Sequence, residues 1–426
     1  MLKKSVFLFC LFTILTVTAQ TRIKSMFYNT LNYGSDLNSQ NRTIHLKTIL
    51  EDVQPDLFMI CELINENASD YLYQNAIVPI NSNFKKAPFK ESESPATGLL
   101  QMAYYNSEKL ILESTNVIPT DIRDINQYSF TLNTVDSAIN PIKIEVFVTH
   151  LKAATGSDNR LKRYNAVLKF LDALDKIPQD SFVLFAGDFN FYTSNEDGYR
   201  VLSDARNTIK IIDPIDRPAD VFPNNTTIGD PFEFYSSSSS YFWRNSSFSD
   251  IHSQSTRSAS LNGDGAGGGM DDRFDFILMS ENLKTNTNLF YIEDSYKTIG
   301  NNGNCYNSYI SNTSCTGTYS QELRNALYQF SDHLPIVMSL ETPVNTLSLE
   351  KNNPISFSNA NIVKNSITLA LKEKAKSIII YNQLGQVVYQ QKNSNTVALK
   401  IDTSTFSKGV YFLKADAHKP LKFVKN

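Results

Sequence analysis

The sequence predicts an α/β protein, in which a large layered unit is followed by a small all-β unit. Three observations predict this. The chain has 426 residues, 41% of them hydrophobic, which exceeds one ordinary domain and supplies a sizeable core. Within residues 20–345, extended apolar segments alternate with helical patterns. Residues 346–426 contain only short strand-like runs separated by turn residues, which indicates a small β-sandwich.

The first nineteen residues have the pattern of a secretory signal peptide. Lys3 and Lys4 precede an apolar run over residues 5–17, and the small residues Thr18 and Ala19 follow it. The alternative is a membrane anchor, but the run is shorter than the ~20 residues that cross a bilayer. We therefore expect cleavage after Ala19 and a mature protein that is exported, without stable membrane insertion.

Each element of the large unit is predicted from its hydrophobic period. Strands are predicted at residues 22–33, 57–62, 142–150, 181–186, 274–279 and 336–340. Helices are predicted at residues 41–52 and 158–177, the second with its apolar face on Leu161, Tyr164, Leu168, Leu171 and Leu174. Residues 214–269 are rich in Ser, Asn and Gly and are interpreted as long surface loops, with a glycine-rich hinge at 263–269.

The small unit is predicted to contain six strands separated by turns. They are placed at residues 366–371, 377–381, 387–391, 397–401, 409–414 and 421–424.

Charge is distributed unevenly between the two units. The chain carries −3 overall, whereas residues 346–426 carry +8 from 12 Lys, no Arg and 4 acids, which leaves −11 for residues 1–345. A dedicated nucleic-acid-binding protein normally shows a basic footprint, so the acidic large unit counts against that class. It does not count against a metal enzyme, because bound cations reverse the local field.

The four cysteines fit an exported protein. Cys10 lies in the signal peptide, and Cys61 lies in an apolar run where a free thiol acts as a small hydrophobe. Cys305 and Cys315 share a polar loop and are the candidate disulfide, with two unpaired thiols as the alternative. No cysteine spacing indicates zinc.

Acids, amides and histidines are concentrated at the ends of the apolar strands. Five stretches follow strands or occupy the turns beside them, namely Tyr28-Asn29-Thr30, Cys61-Glu62-Leu63, Thr149-His150-Leu151-Lys152, Gly187-Asp188-Phe189-Asn190 and Ser331-Asp332-His333-Leu334-Pro335. A sixth, Asp272-Arg273-Phe274-Asp275-Phe276, begins a strand. Taken singly, each has a structural explanation as a solvated strand end, a turn or a hydrogen-bonded histidine. Their joint occurrence indicates a functional site at strand ends.

In this order, the six motifs resemble the endonuclease/exonuclease/phosphatase superfamily over residues 22–341. The resemblance implies a four-layered α/β sandwich, with two packed mixed sheets flanked by helices. It also implies hydrolysis of a phosphate ester, which needs a hard cation such as Mg²⁺ or Mn²⁺ to neutralise phosphate oxygens.

The resemblance implies a metal site built from three residues. Glu62 matches the family's principal ligand, Asn29 lies beside it, and Asp332 matches a position that helps to hold the same or a second ion. Whether residues 262–269 hold a structural Ca²⁺ is left open.

The resemblance also implies roles for five catalytic residues. Asp188 matches the residue that activates the attacking water, and Asn190 matches an amide that holds a phosphate oxygen. His333 matches the general base or transition-state contact, with Asp275 as its orienting partner. His150 matches a second histidine that contacts the scissile phosphate and assists the leaving group.

Three further residues near these motifs are not included in the site. His252 is interpreted as a hydrogen-bonded loop residue. Arg160 and Arg163 are expected either to reach a substrate phosphate or to lie on an exposed helix face.

Residues 346–426 resemble the C-terminal sorting domain of the type IX secretion system. The runs that carry the resemblance are residues 378–391 and 409–414 and the final Lys-Phe-Val-Lys. It implies passage to the periplasm through the signal peptide and handling by the type IX secretion machinery. Export across the outer membrane would then leave the mature protein secreted or at the cell surface. An accessory β-sandwich that binds a surface or carbohydrate is the alternative.

Three functions are compatible with these patterns. The first is a secreted nuclease, acting as a monomer on extracellular DNA or RNA. The second is a phosphoesterase acting on phospholipid head groups, inositol phosphates or nucleotides. The third is a non-catalytic surface binding protein, which the filled catalytic positions make the least favoured.

Overall fold

The fold is described from a computed structural model covering residues 21–96, 98–218, 243–345, 355–357, 362–371, 375–392, 398–416 and 420–426. The contacts divide the chain into two compact units, Met1–Leu347 and Ser348–Asn426. The predicted signal peptide lies outside the described residues, as does part of the predicted loop region at 214–269.

In its described residues, the first unit combines thirteen strands with five helices. The strands are β1 (Thr21–Tyr33), β2 (Leu57–Leu63), β3 (Phe84–Lys86), β4 (Leu100–Asn106), β5 (Leu110–Ile118), β6 (Ile125–Leu132), β7 (Lys143–His150), β8 (Phe182–Asp188), β9 (Ile211–Ile212), β10 (Asp275–Ser280), β11 (Phe290–Tyr291), β12 (Lys297–Thr298) and β13 (Ile336–Thr342). The helices are α1 (Leu37–Val53), α2 (Glu66–Leu72), α3 (Ser157–Leu174), α4 (Asp197–Arg200) and α5 (Gln321–Phe330).

Two mixed sheets form the centre of this unit. The first has the order β11-β13-β1-β2-β4-β3, with β12 also paired to β13, and the second has the order β5-β6-β7-β8-β10-β9. The pairs β1–β2 and β7–β8 are parallel, and every other pair in these two sheets is antiparallel. The central strands of one sheet pack on those of the other.

Alternation along the buried strands produces the four layers. On β8, Val183 and Phe185 join a cluster with Phe170 of α3, whereas Leu184 and Ala186 join the cluster that contains the first sheet. Successive side chains on a strand point to opposite faces, so one strand contacts both a helix and the other sheet. With α1 and α5 against the first sheet and α3 against the second, the layers are helix, sheet, sheet and helix. The predicted fold class is confirmed.

Two helix starts are fixed by side-chain caps. Asp36 accepts from the Ser39 backbone N–H at 3.1 Å, so α1 begins before the predicted residue 41. Helix α5 is not among the sequence predictions; Ser320 caps it through the Leu323 N–H at 3.2 Å.

The predicted apolar face of α3 packs on the core, with Leu174 buried and Tyr164, Leu168 and Leu171 partly buried against it, but it is not the centre of the buried face. The buried residues of α3 include Arg163, Ala166, Val167 and Phe170, whereas the leucines of the predicted stripe before Leu174 are only half-buried. The centre of the buried face includes Arg163, which lies fully inside and pairs with Glu196.

The surface-loop interpretation of residues 214–269 was also incomplete. In its described part, Trp243, His252 and Arg257 are buried. The described part of this segment packs into the unit and contributes to its interior.

The second unit is all-β, as predicted. Its strands are β14 (Ile355–Phe357), β15 (Ile362–Val363), β16 (Ser366–Leu371), β17 (Ser377–Asn382), β18 (Val387–Lys392), β19 (Ala398–Asp402), β20 (Gly409–Ala415) and β21 (Leu421–Lys425). They form two sheets, β14-β16-β19 and β15-β21-β20-β17-β18, around a core that contains Ile367, Leu369, Ile380 and Phe423. The six predicted strands are all present.

Across the residues described here, none of the helices is both long enough and apolar enough to span a membrane.

Candidate active site

Strand direction brings the six motifs to one edge of the sandwich. In the second sheet, His150 ends β7 beside Asp188 at the end of β8, and Asp188 lies opposite Asp275 at the start of antiparallel β10. In the first sheet, Asn29 of β1 pairs with Cys61 of β2, and antiparallel β13 begins just after His333. In an antiparallel pair, the start of one strand lies beside the end of the other. The motifs that precede or begin β10 and β13 therefore lie at the same edge as the motifs at the ends of β1, β2, β7 and β8.

Glu62 is presented by an irregular backbone. The registers of β2 with β1 and with β4 both shift here, and Glu62 has a φ of +60°. A bulge turns a side chain out of the regular alternation, and left-handed non-glycine residues concentrate at functional sites. The Asn32 backbone N–H donates to Glu62 Oε2 at 2.9 Å and fixes the carboxylate.

Gly187 is required by close strand packing before Asp188. A Cβ at this position would lie 2.5 Å from the Thr149 carbonyl oxygen and 2.6 Å from its Cγ2. The missing side chain allows β7 and β8 to pair up to His150 and Asp188.

Asn29 links the carboxylates of the two sheets. Its Nδ2 donates to Glu62 Oε1 at 2.9 Å and to Asp188 Oδ2 at 3.1 Å. Its Oδ1 accepts from the Leu31 N–H at 2.9 Å. Asn29 thus orients both carboxylates in this structure, although sequence analysis predicted it as a metal ligand.

The donor set fits a hard divalent cation. Two groups have their ligand atoms within 4.8 Å of one another, namely Glu62 with His150 and Asp188, and Asp188 with Asp275 and His333. Burial raises the pKa of Glu62 and of Asp188 and outweighs the opposing effect of His333 on both carboxylates. Oxygen-rich sites of this kind suit Mg²⁺ or Mn²⁺.

Asp332 is held at the rim of the same site. Its Oδ2 accepts from the Ala266 N–H at 2.7 Å and from Gln254 Nε2 at 3.2 Å. Its Oδ1 is buried and has no hydrogen-bond partner within the described part of the chain, so one oxygen is free to serve as a ligand.

His333 is oriented by a buried carboxylate. Its Nδ1 lies 2.7 Å from Asp275 Oδ2, which also accepts from the Ser253 hydroxyl at 2.6 Å. Burial opposes ionisation of the ring, but Asp275, Asp332 and Asp188 outweigh it and raise the pKa of His333 well above its ordinary value. The histidine is thereby suited to hold a proton at Nε2.

His150 differs from His333 in its electrostatic environment. Its Nε2 lies 3.8 Å from Glu62 Oε1 and 3.6 Å from Asp188 Oδ2. Burial, reinforced by Arg123, lowers the pKa of His150 well below its ordinary value. Asn190 adopts a left-handed φ of +51°, and its Nδ2 donates to the Leu151 carbonyl at 3.3 Å.

Several residues of this site were missed by sequence analysis. Ser253 and Gln254 contact Asp275 and His333 from the segment interpreted as surface loop, where the sequence gives no motif. Ala266 lies in the predicted hinge, yet its N–H contacts Asp332.

Arg163 occupies neither of the predicted positions. It is fully buried, and its guanidinium donates to both carboxylate oxygens of Glu196 at 2.8 and 3.0 Å and to the carbonyls of Lys152 and Ala154. It therefore supports the segment that follows His150.

The remaining predictions concern residues outside the site. Cys305 and Cys315 form a disulfide with a Cα–Cα distance of 5.3 Å, and Cys61 is a buried free thiol. His252 Nε2 contacts the Trp243 carbonyl at 2.6 Å. Within the described ranges, residues 262–269 contain no group of three metal-ligating side chains.

Comparison with known proteins gives matches for both units. D. rerio TDP2 complexed with single-strand DNA product has 16% identity and a TM-score of 0.46, covering 76% of this chain and 100% of that one. The human Nocturnin catalytic domain with bound sulfate has 14% identity and a TM-score of 0.43, covering 75% and 93%. An endonuclease/exonuclease/phosphatase family protein from Bacteroides thetaiotaomicron has 11% identity and a TM-score of 0.43, covering 76% and 96%.

Curated proteins give no match to the chain. Residues 361–426 match the family model of the secretion system C-terminal sorting domain, so the C-terminal unit is a sorting domain of a protein that is exported.

Proposed function

We propose that this protein is an exported, divalent-metal-dependent phosphodiesterase of the endonuclease/exonuclease/phosphatase superfamily, and that its substrate is extracellular DNA or RNA. The observation that carries the proposal is the convergence of Glu62, Asp188 and His333 at one edge of the sandwich, with Asn29 within 3.3 Å of all three. Buried carboxylates beside an oriented histidine are the groups that metal-assisted hydrolysis needs.

Glu62 and Asp332 would hold the cation, with Asn29 orienting the Glu62 carboxylate. A bound Mg²⁺ or Mn²⁺ would neutralise charge on the phosphate oxygens and the leaving oxygen. The positive charge of the bound cation would also favour the ionised forms of the Glu62 and Asp188 carboxylates.

The protein's own residues account for the proton transfers. Asp188 accepts a proton from the attacking water, and its Oδ1 is fixed by the Asn190 backbone N–H at 3.1 Å. His333, oriented by Asp275, presents Nε2 to the phosphate. His150 faces Glu62 and Asp188 from the next strand, where it contacts the phosphate. His333, whose pKa is raised, holds the proton for the leaving oxygen.

The substrate is tested by offering the mature chain supercoiled plasmid, RNA and sphingomyelin with Mg²⁺, Mn²⁺ or EDTA. Metal-dependent nicking of plasmid or cleavage of RNA that disappears in His333→Ala is the expected result. Hydrolysis confined to the lipid would move the substrate to phospholipid head groups. Absence of turnover with all three substrates and both metals would refute the nuclease proposal and favour a surface binding protein.

We further propose the organisation of the precursor. A signal peptide over residues 1–19 directs the chain to the periplasm, residues 20–345 form the catalytic domain, and residues 346–426 form the domain that the type IX secretion machinery handles. The mature protein acts as a monomer without membrane insertion. N-terminal sequencing of the exported protein tests the cleavage after Ala19.

A further inference from the structure

The exposed aromatic side chains of the first unit lie in one loop. Among the large hydrophobic side chains that are more than a third exposed in the described part of this unit, the only aromatic ones are Tyr306 and Tyr309, at 39% and 40%. Both belong to the segment that the Cys305–Cys315 disulfide closes, called here the disulfide loop (residues 305–315). Two rings left in water on the same loop indicate a surface that a ligand can cover.

The disulfide loop and its flanks carry no charged side chain. Residues 298–321 contain no Asp, Glu, Lys, Arg or His and are mainly Asn, Ser, Thr, Gly and Tyr, although the unit as a whole is acidic. A neutral surface does not repel a polyanion as an acidic one does. Its exposed rings can contact the faces of bases.

Two backbone hydrogen bonds connect the disulfide loop to Asp332 at the rim of the proposed active site. The Thr256 N–H donates to the Asp332 carbonyl at 2.9 Å, and the Ile310 N–H donates to the Thr256 carbonyl at 2.8 Å. Chain segments paired by such bonds lie about 5 Å apart, so the backbone beside Tyr309 is within about 10 Å of that of Asp332. The disulfide loop therefore adjoins the place where the phosphate would bind.

Tyr309 is held in position before any ligand arrives. The Asn307 N–H donates to the Met270 carbonyl at 3.1 Å, and Gly269 permits this approach because a Cβ there would meet the Asn307 backbone. The Tyr309 ring meets the Tyr328 ring edge-on, with centroids 6.1 Å apart and an interplanar angle of 69°. A ring fixed in this way loses little conformational freedom when a ligand stacks on it.

We propose that the disulfide loop is a base-binding surface, on which the Tyr309 ring stacks with an unpaired base of the nucleic acid beside the phosphate in the active site. Tyr309 is assigned this role because it precedes Ile310, which is bonded to the segment that holds Asp332. The inference rests on the proposed nuclease function and names its substrate class as single-stranded or locally unpaired nucleic acid. Every base has a π face, so the contact accepts any base.

Cleavage of two oligomers by the full mature chain with Mn²⁺ tests this role. One is single-stranded oligothymidylate, and the other is an abasic oligomer with the same number of phosphates. Tyr309→Leu should lower kcat/KM for oligothymidylate roughly 5- to 150-fold, the range for one lost base–aromatic stack, and leave that for the abasic oligomer unchanged. Tyr309→Phe keeps the ring and should cleave oligothymidylate nearly as well as the wild type.

Ile139→Ala is the matched control, because Ile139 is 82% exposed and precedes β7, at the opposite end of that strand from His150. This variant should cleave both oligomers as the wild type does. Equal losses on the two oligomers in Tyr309→Leu would overturn the proposal, because the residue would then act without contacting a base. Wild-type rates on both oligomers in Tyr309→Leu would overturn the inference alone, whereas a wild-type chain that cleaved neither oligomer would overturn the proposed nuclease function with it.

Discussion

Arg163 provides a quantitative test of how the segment after His150 is supported. Its guanidinium is 0% exposed and pairs with a Glu196 carboxylate that is 1% exposed. Arg163 also donates to the carbonyls of Lys152 and Ala154 at 2.7 and 2.9 Å. Replacement by methionine keeps most of the side-chain length and removes these donors, which leaves the buried carboxylate without this counter-charge.

The expected loss of stability is large. Removing one partner of a buried ion pair costs about 3–5 kcal/mol, because the remaining charge is left buried and uncompensated. At about 2 °C per kcal/mol, the lower end of the range for large domains, Arg163→Met should lower the unfolding temperature by roughly 6–10 °C. Adding Glu196→Gln should recover part of the lost stability, since the buried negative charge that faced the Arg163 guanidinium is then removed.

Thermal unfolding of the mature chain at neutral pH, followed by circular dichroism, measures both variants. Lys169→Met is the control, because Lys169 is exposed on the same helix and its replacement should change stability by less than about 0.5 kcal/mol. An Arg163→Met protein within about 1 kcal/mol of wild type would refute the buried-pair explanation. It would instead support an exposed helix face, one of the two positions expected from the sequence.

Three further predictions concern other parts of the first unit. Gly187→Ala should destabilise the protein by at least about 1–3 kcal/mol in denaturant unfolding, because its Cβ would meet the Thr149 backbone oxygen. Burial raises the pKa of Asp272 to about 7, above the unfolded value near 3.9, so its ionisation weakens the fold as pH rises between these values. Asp272→Asn should therefore raise the unfolding temperature more at pH 8 than at pH 5, and an equal rise at both would contradict this. The disulfide joins Cys305 and Cys315, which are 10 residues apart in the sequence. Its reduction should lower the free energy of unfolding by about 2–3 kcal/mol, measured by unfolding with and without reductant.

The strands that carry the site could be predicted from the sequence, because their hydrophobic runs end at polar motifs. The family resemblance implies that Asp188 and Asp275 belong to one site, and the two residues lie opposite each other on β8 and β10. The motif order supplied this information, since strand ends in such sandwiches share one edge. The all-β second unit was equally predictable, because its short strands are separated by turn residues.

The sequence alone does not show which side chains contact each other when their residues are far apart along the chain. Arg163 reads as an exposed residue until Glu196, thirty-three residues later, is placed against it. Gln254 follows no strand and belongs to no motif, so its contact with His333 becomes visible only when the loop is folded. Asn29 was predicted as a ligand, but its amide direction depends on where Glu62 and Asp188 lie.

Hydrolysis of bis-p-nitrophenyl phosphate by the mature chain tests the central claim most directly. The account predicts turnover with Mg²⁺ or Mn²⁺, abolition by EDTA, and a loss of about 100-fold or more in His333→Ala, as expected when a general acid–base residue is removed. Glu62→Gln should need far more Mn²⁺ for the same rate, whereas Lys169→Met should match the wild type. Hydrolysis that survives EDTA, or that is unchanged in both His333→Ala and Glu62→Gln, would contradict a metal-dependent active site at this edge of the sandwich.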